Sequence, residues 1–155
     1  MKMAVTKGTD YVFAEQMTYN GPDGIGKGCL LGTRSMILQL PVTTMERSGR
    51  IMESRDWFIR GIPAGRFVRE SLEDPSLDPS DLDGLMRDLA SSLKGTDLID
   101  LSTVMRLRVR SSLMSRGIYI SVKSSGPGWR GFPLKKDDAG RFMEFYRGHP
   151  AAVGG

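Results

Sequence analysis

The stretch Met105-Arg106-Leu107-Arg108-Val109-Arg110 alternates apolar and basic residues. A second stretch, Ile118-Tyr119-Ile120-Ser121-Val122-Lys123, also alternates apolar and polar residues. Successive side chains of a β-strand point to opposite faces of the sheet, so each stretch predicts a strand with one buried and one polar face. If the two strands pair, the polar residues of the second join the arginines of the first on one face.

The residues after this pair predict one more strand and a closing helix. Residues 124–128 are rich in Gly, Pro and Ser and predict a turn, and Trp129–Leu134 predicts a strand. Apolar residues then recur at the period of an amphipathic helix, at Ala139, Phe142, Met143 and Tyr146. Asp137 or Asp138 is expected to cap this helix, and Gly148 to end it.

Three further strands are predicted near the start of the chain, at Tyr11–Tyr19, Cys29–Gly32 and Met36–Leu40. In the first, the odd-numbered residues are expected to share one face and Val12 and Ala14 the other. Residues 20–28 predict a turn, and Pro41 is expected to end the third strand. Trp57, Phe58 and Ile59 are compatible with a further short strand.

The middle of the chain contains one clear helical pattern. Its apolar residues are Leu82, Leu85, Met86, Leu89, Ala90 and Leu93. These steps of three and four residues predict an amphipathic helix, with Asp78 or Ser80 as its cap and Gly95 after its last turn.

Several short strands closed by an amphipathic C-terminal helix resemble the pleckstrin-homology-like (PH-like) superfold, especially bacterial PH domains and GRAM domains. Gly28–Leu38 is similar to a GRAM-type hairpin, with Arg34 in the place of the basic residue near the turn. Residues 97–104, Ile118–Ile120, Phe132–Leu134 and the Phe142 helix look like the second half of such a domain. The resemblance implies an α+β fold, mostly β: a bent antiparallel sheet or partly open barrel capped by the C-terminal helix. It implies binding of lipid headgroups or peptides, or scaffolding, and does not imply catalysis.

The length of 155 residues predicts a single domain with a substantial core. We expect this domain to cover residues 1–155, with residues 1–9 and 149–155 as flexible ends. Residues 42–95, which carry the predicted helix, depart from the PH-like pattern as an insertion.

The net charge of +4 conceals an uneven distribution. Residues 101–155 contain ten Lys or Arg and three Asp or Glu, a net +7, whereas residues 70–100 contain two and nine, a net −7. Such asymmetry can indicate an anionic partner, but it also fits acidic and basic parts that lie side by side. The sequence leaves open whether the acidic segment, residues 70–100, covers the basic face.

The basic residues of the second half predict a binding surface, because Arg gives bidentate contacts to phosphate and Tyr offers an interfacial ring. The predicted binding residues are Arg106, Arg108, Arg110, Arg116, Tyr119, Lys123, Arg130 and Arg34. The competing interpretation is a solvated sheet face whose charges keep edges from pairing. Trp129, after the Gly/Pro turn, offers a membrane or partner contact, although core packing is the usual role of Trp and is favoured for both Trp129 and Trp57.

The residues that would support an enzyme are scarce. Gly21–Lys27 matches the first seven positions of a P-loop, but Gly28 replaces the Ser or Thr that would hold Mg²⁺, and a strand is predicted where the helix should follow. Cys29 and His149 are the only Cys and His, with no evident third group to orient them. Asp78, Asp81 and Asp83 do not match the calcium-loop spacing and suit a helix N-terminus instead. We therefore expect no catalytic, metal or cofactor site.

These observations favour a non-enzymatic module that recruits a protein partner or an anionic phospholipid surface through its basic face. Nucleic-acid binding by the same arginines is one alternative, and a structural subunit of a homo-oligomer is another. The single cysteine, the lack of a long apolar run and an N-terminus without a signal-peptide core predict a cytoplasmic protein. Lipid binding would place it at the inner membrane surface.

Overall fold

The computed structural model describes residues 4–21, 24–45, 54–112, 117–124 and 130–152. Within these residues the strands are β1 Tyr11–Gly21, β2 Gly24–Thr33, β3 Met36–Met45, β4 Ser54–Asp56, β5 Phe58–Ile59, β6 Ile62–Pro63, β7 Asp97–Asp100, β8 Val104–Ser112, β9 Gly117–Ser124 and β10 Arg130–Leu134. The helices are α1 Ala64–Glu73, α2 Leu82–Ser92 and α3 Lys136–Phe145. The predicted class, α+β and mostly β, is confirmed.

Eight of the strands form one curled antiparallel sheet. Its order is β4-β3-β2-β1-β10-β9-β8, with β7 also paired to β3, while β5 and β6 form a separate hairpin. The first three strands therefore make one meander, and the last three make another. The single register pair Met17↔Leu134 joins β1 to β10 and so links the two meanders.

The apolar residues form two clusters, one on each face of β1–β3. The inner cluster packs α3, through Phe142 and Tyr146, against the sheet that includes Leu30 and Leu107. The outer cluster packs α1 and α2 against residues that include Leu31 and Leu38. Neighbouring residues of one strand thus lie in different clusters, because strand side chains alternate between faces. The first meander is buried on both sides.

Two strand faces differ from the predicted alternation because each strand contains a β-bulge. In β1 the register shifts between Ala14 and Met17, so Met17 lies in the inner cluster with Val12 and Ala14 and not on the face of Phe13. In β8 the register shifts between Val104 and Arg106. Met105, predicted to be buried, is therefore 62% exposed. A bulge adds one residue to one strand, which reverses the facing of the residues beyond it.

The first hairpin is longer than predicted. β2 begins at Gly24, so residues 24–28 belong to a strand and not to the turn. β3 continues beyond Pro41 to Met45, because Gly28 pairs with Pro41 and Lys27 with Thr43, which leaves Val42 as an extra residue. The bulge accommodates a proline that cannot donate to the strand ladder.

The described part of the insertion, residues 42–45 and 54–95, contains two α-helices, of which only the second was predicted. α2 confirms the helix predicted from Leu82, and Asp78 caps the short 3₁₀ turn that leads into it. α1 was missed, although Val68 and Leu72 are buried along it. Asp137 and Asp138 lie in the first turn of α3, where their charges suit the helix dipole, but neither caps it.

Both described ends contact the rest of the domain. The Thr9 C=O accepts a hydrogen bond from Arg34 Nη2 at 2.9 Å, and the C=O of the buried Ala151 accepts one from the Leu107 N–H at 2.8 Å. Flexibility of residues 1–9 and 149–155 stays a prediction.

Candidate functional site

The register of β8 and β9 aligns the two alternating stretches as the sequence predicted. Arg106 pairs with Lys123, Arg108 with Ser121 and Arg110 with Tyr119. Directly opposed residues of an antiparallel pair share a face. These positions therefore form one row of polar residues across two strands, which we call the basic face.

Arg106 is the exposed cation of the basic face among the side chains that the structure describes. Arg108 and Lys123 are half-buried, and neither is without an interaction partner. Met105 protrudes next to Arg106 because of the β8 bulge. A basic residue therefore stands beside an exposed thioether, a combination that suits an amphipathic surface.

Arg130 does not take a position on the basic face. It pairs with Val122, which is buried in the inner cluster, so its register position lies on the other side of the sheet from Ser121. The sequence grouped Arg130 with the other arginines because strand register cannot be derived from residue type. Arg116 and Trp129 lie outside the described residues.

Arg34 is a structural residue of the β2–β3 turn. Its Nε and Nη2 donate to the Thr9 C=O at 3.1 and 2.9 Å, and its Nη1 donates to the Phe145 C=O at 2.6 Å. The guanidinium carbon also lies 3.9 Å from the centroid of the Phe145 ring. Arg34 thus joins the N-terminal turn to the end of α3, and it is not part of the basic face.

Helices α1 and α2, of which only α2 lies wholly within the acidic segment, pack on the outer face of the first meander. Met86 and Leu89 of α2 are buried in the outer cluster, which contains none of the described residues of β8 or β9. Asp83 accepts a hydrogen bond from Ser35 at 2.6 Å, which holds α2 beside the β2–β3 turn. These helices leave Arg106 exposed, and removing them would uncover the outer cluster.

The residues considered for catalysis are separated by the fold. Cys29 is fully buried in the outer cluster, whereas the His149 ring lies edge-on to Tyr146 of the inner cluster. β2 continues after Lys27, so the P-loop match lacks the helix that phosphate binding requires. Among the described residues, no group of three or more His, Cys, Asp or Glu is arranged to hold a metal ion.

Burial of Cys29 predicts an unreactive thiol. Burial raises the pKa of Cys29 to about 12, with a smaller contribution from the charge of Glu15. We expect Cys29 not to react with a thiol reagent at pH 8 in the folded protein and to react at once in denaturant, measured by thiol absorbance. Because the unfolded thiol loses its proton first, this group should also lower stability as the pH rises above about 9. Rapid labelling without unfolding would contradict the buried position.

The structure also contains a cleft that the sequence did not predict. It has a volume of about 350 Å³ and lies where β1 diverges from β10, between α1 and the start of α3. We call it the β1 cleft; it is lined by Lys7, Tyr11, Phe13, Glu15, Gln16, Arg69, Leu72, Glu73, Lys135 and Asp138. It depends on the β1 bulge and on the unpredicted helix α1, so no local sequence pattern indicated it.

Trp57 has the packing role that the sequence favoured. It is half-buried against the outer cluster, and its Nε1–H donates to Thr44 Oγ1 at 3.2 Å. None of the helices in the described parts of the chain is both long and apolar enough to cross a membrane.

Family models, curated proteins and solved structures were all compared with the chain, and none of them matches it.

Proposed function

We propose that this chain is a non-catalytic, PH-like binding module that recruits its partner through the basic face of β8 and β9. The bent sheet, with α3 packed into its inner cluster, supports the PH-like part of the proposal. The register that aligns Arg106 with Lys123 and Arg108 with Ser121 supports the binding part. Anions of phospholipid headgroups or acidic side chains are the matching ligands for such a row.

An anionic lipid surface is the ligand that the exposed residues favour. Met105 is 62% exposed beside Arg106, so an apolar side chain can enter the interfacial layer while the guanidinium contacts a headgroup. An acidic protein would use the same cations without needing the exposed methionine. The same cations would also bind nucleic acid, for which affinity falls steeply with salt.

The proposal predicts weaker vesicle binding when the charge of Arg106 is reversed. We expect Arg106→Glu to reduce binding to phosphatidylcholine vesicles containing phosphatidylserine by about tenfold, since each basic residue near such a surface contributes about 1 kcal/mol. Sedimentation with vesicles, with and without phosphatidylserine, measures this. Arg66→Glu is the matched control, because Arg66 is exposed on α1 and its reversal changes the net charge equally.

Further arms of the experiment separate the ligand classes. Met105→Ser should weaken vesicle binding but leave any binding to single- or double-stranded DNA unchanged. Equal losses for Arg106→Glu and Arg66→Glu would exclude a specific basic face. Salt-sensitive DNA binding without vesicle binding would favour the nucleic-acid alternative, and light scattering that shows a stable oligomer without either ligand would favour a structural subunit.

A further inference from the structure

The β1 cleft has an apolar base and a charged rim. Tyr11, Phe13 and Leu72 line it and are at least nine-tenths buried. Lysines, an arginine and carboxylates of both walls surround this base. A volume of about 350 Å³ lies within the usual range of small-ligand sites. The composition indicates a ligand with both apolar groups and charges.

Two oppositely charged side chains, Glu73 and Lys135, lie at opposite ends of the cleft. Arg69 of α1 forms an ion pair with Glu15 at 2.5 Å, so Glu73, one helical turn later, lies toward the Tyr11 end of β1. Burial raises the pKa of Tyr11, and the nearby charge of Glu73 adds to this effect. At the other end the Nζ of Lys135 donates to Gln16 at 3.0 Å.

Neither Glu73 nor Lys135 is ion-paired in the described parts of the chain, although Lys7 lies at the Tyr11 end and Asp138 also lines the cleft. The Lys135 ammonium donates to a neutral amide, that of Gln16, and not to a carboxylate. Tyr11 to Gln16 spans about 16 Å of extended chain. A ligand that connects the two charges therefore needs a cation at the Tyr11 end and an anion at the Gln16 end.

Between these ends, the edge of β1 away from β2 has backbone N–H and C=O groups that are not paired with another strand in the described residues. The Tyr11 C=O accepts from the Gly8 N–H at 2.7 Å on the side away from β2. Because backbone polar groups alternate along a strand, the N–H and C=O of Phe13 also face away from β2. In the described residues β1 pairs with β10 only at Met17, so Phe13 has no strand partner on that edge.

We propose that the β1 cleft binds a short peptide of three or four residues with free termini, extended alongside β1. Its ammonium contacts Glu73, its carboxylate contacts Lys135, and its main chain pairs with the edge at Phe13. At about 3.3 Å per residue, three or four residues fit between the two charges once the reach of their side chains is included. The peptide runs parallel to β1, and its apolar side chains cover Tyr11 and Leu72. This site is separate from the basic face.

The test is an NMR titration of the whole chain with the tripeptide Leu-Ala-Leu. N-acetylated and C-amidated forms should bind about fivefold more weakly, because each lacks one charge-assisted contact. Glu73→Gln should weaken binding of the free tripeptide to the level seen with the acetylated form. It should leave binding of the acetylated form unchanged. Lys135→Gln should weaken binding of the free tripeptide to the level seen with the amidated form, and should leave binding of the amidated form unchanged.

Matched variants control for net charge. Glu70→Gln, on the same helix but paired with Arg66, and Lys136→Gln, next to Lys135 but outside the cleft, should not change binding. Lys7→Gln should strengthen binding slightly, since Lys7 repels the ammonium at the Tyr11 end. Vesicle binding should be unchanged in all five variants.

Three outcomes would overturn the proposal. The first is no saturable shift with the free tripeptide. The second is equal binding of the free and capped forms, because the end charges would then play no part. The third is free leucine binding as tightly as the tripeptide, which would remove the role of the strand edge.

Discussion

Phe142→Ala should lower the free energy of unfolding by about 3–5 kcal/mol, the usual cost of removing a buried aromatic side chain. Phe142 is completely buried at the centre of the inner cluster, and its ring centroid lies 6.5 Å from that of Tyr146. Truncation would leave a cavity between α3 and the residues of both meanders in the inner cluster, and such cavities are usually only partly filled by relaxation. Urea denaturation followed by circular dichroism measures the change.

Glu144→Ala is the control for this substitution. Glu144 lies on the same helix, its side chain is 65% exposed, and it pairs with Arg147 at 2.8 Å. An exposed pair of this kind contributes about 0–1 kcal/mol, so the control should remain close to the parent protein. A loss below about 1 kcal/mol for Phe142→Ala would mean that α3 does not close the inner cluster.

The two apolar clusters also predict how unfolding proceeds. They share β1–β3, whose neighbouring residues Leu30 and Leu31 point into opposite clusters. Loss of the inner cluster should therefore loosen α1 and α2 as well. We expect a single transition in Phe142→Ala, at lower urea and with an unchanged slope.

The sequence predicted those elements whose residues follow a regular period. β9 and α2 have uninterrupted alternation or helical spacing, and the structure contains both. The α1 segment was missed because it begins at Ala64-Gly65, directly after Pro63, where breaking residues conceal the spacing of Val68 and Leu72. Bulges are equally invisible, since an extra residue in β1 or β8 leaves no compositional signal.

The basic face was partly predictable for the same reason. Alternation indicated that Arg106 and Arg108 share a face, and the register with Lys123 and Ser121 agrees with it. Arg34 and Arg130 were grouped with them by charge alone. Arg34 instead joins two distant segments, and charge does not distinguish a tertiary hydrogen bond from a ligand contact. The β1 cleft requires three elements that are remote in sequence.

Gly32→Ala should cost about 3 kcal/mol, because it combines overpacking with the loss of a buried hydrogen bond. A Cβ at this position would lie 2.3 Å from Tyr146 Oη and 3.0 Å from Val12 Cγ1. The hydroxyl cannot move freely, since it donates to the Thr33 C=O at 2.7 Å and is buried. Gly140→Ala is the control: nothing lies within 4 Å of its added Cβ, and alanine should stabilise α3 by about 0.5–1 kcal/mol.

A double-mutant cycle identifies the cause of that loss. Tyr146→Phe alone should cost about 1 kcal/mol, the net contribution of a typical hydrogen bond. The same substitution removes the atom nearest to the new methyl group, so the double variant should cost less than the sum of the two by about 1 kcal/mol or more. Thermal and urea unfolding of all four proteins measures the coupling. Additive losses would show that the backbone of β2, and not the Tyr146 hydroxyl, moves to admit the methyl group, and the Tyr146–Thr33 hydrogen bond would then be intact in Gly32→Ala.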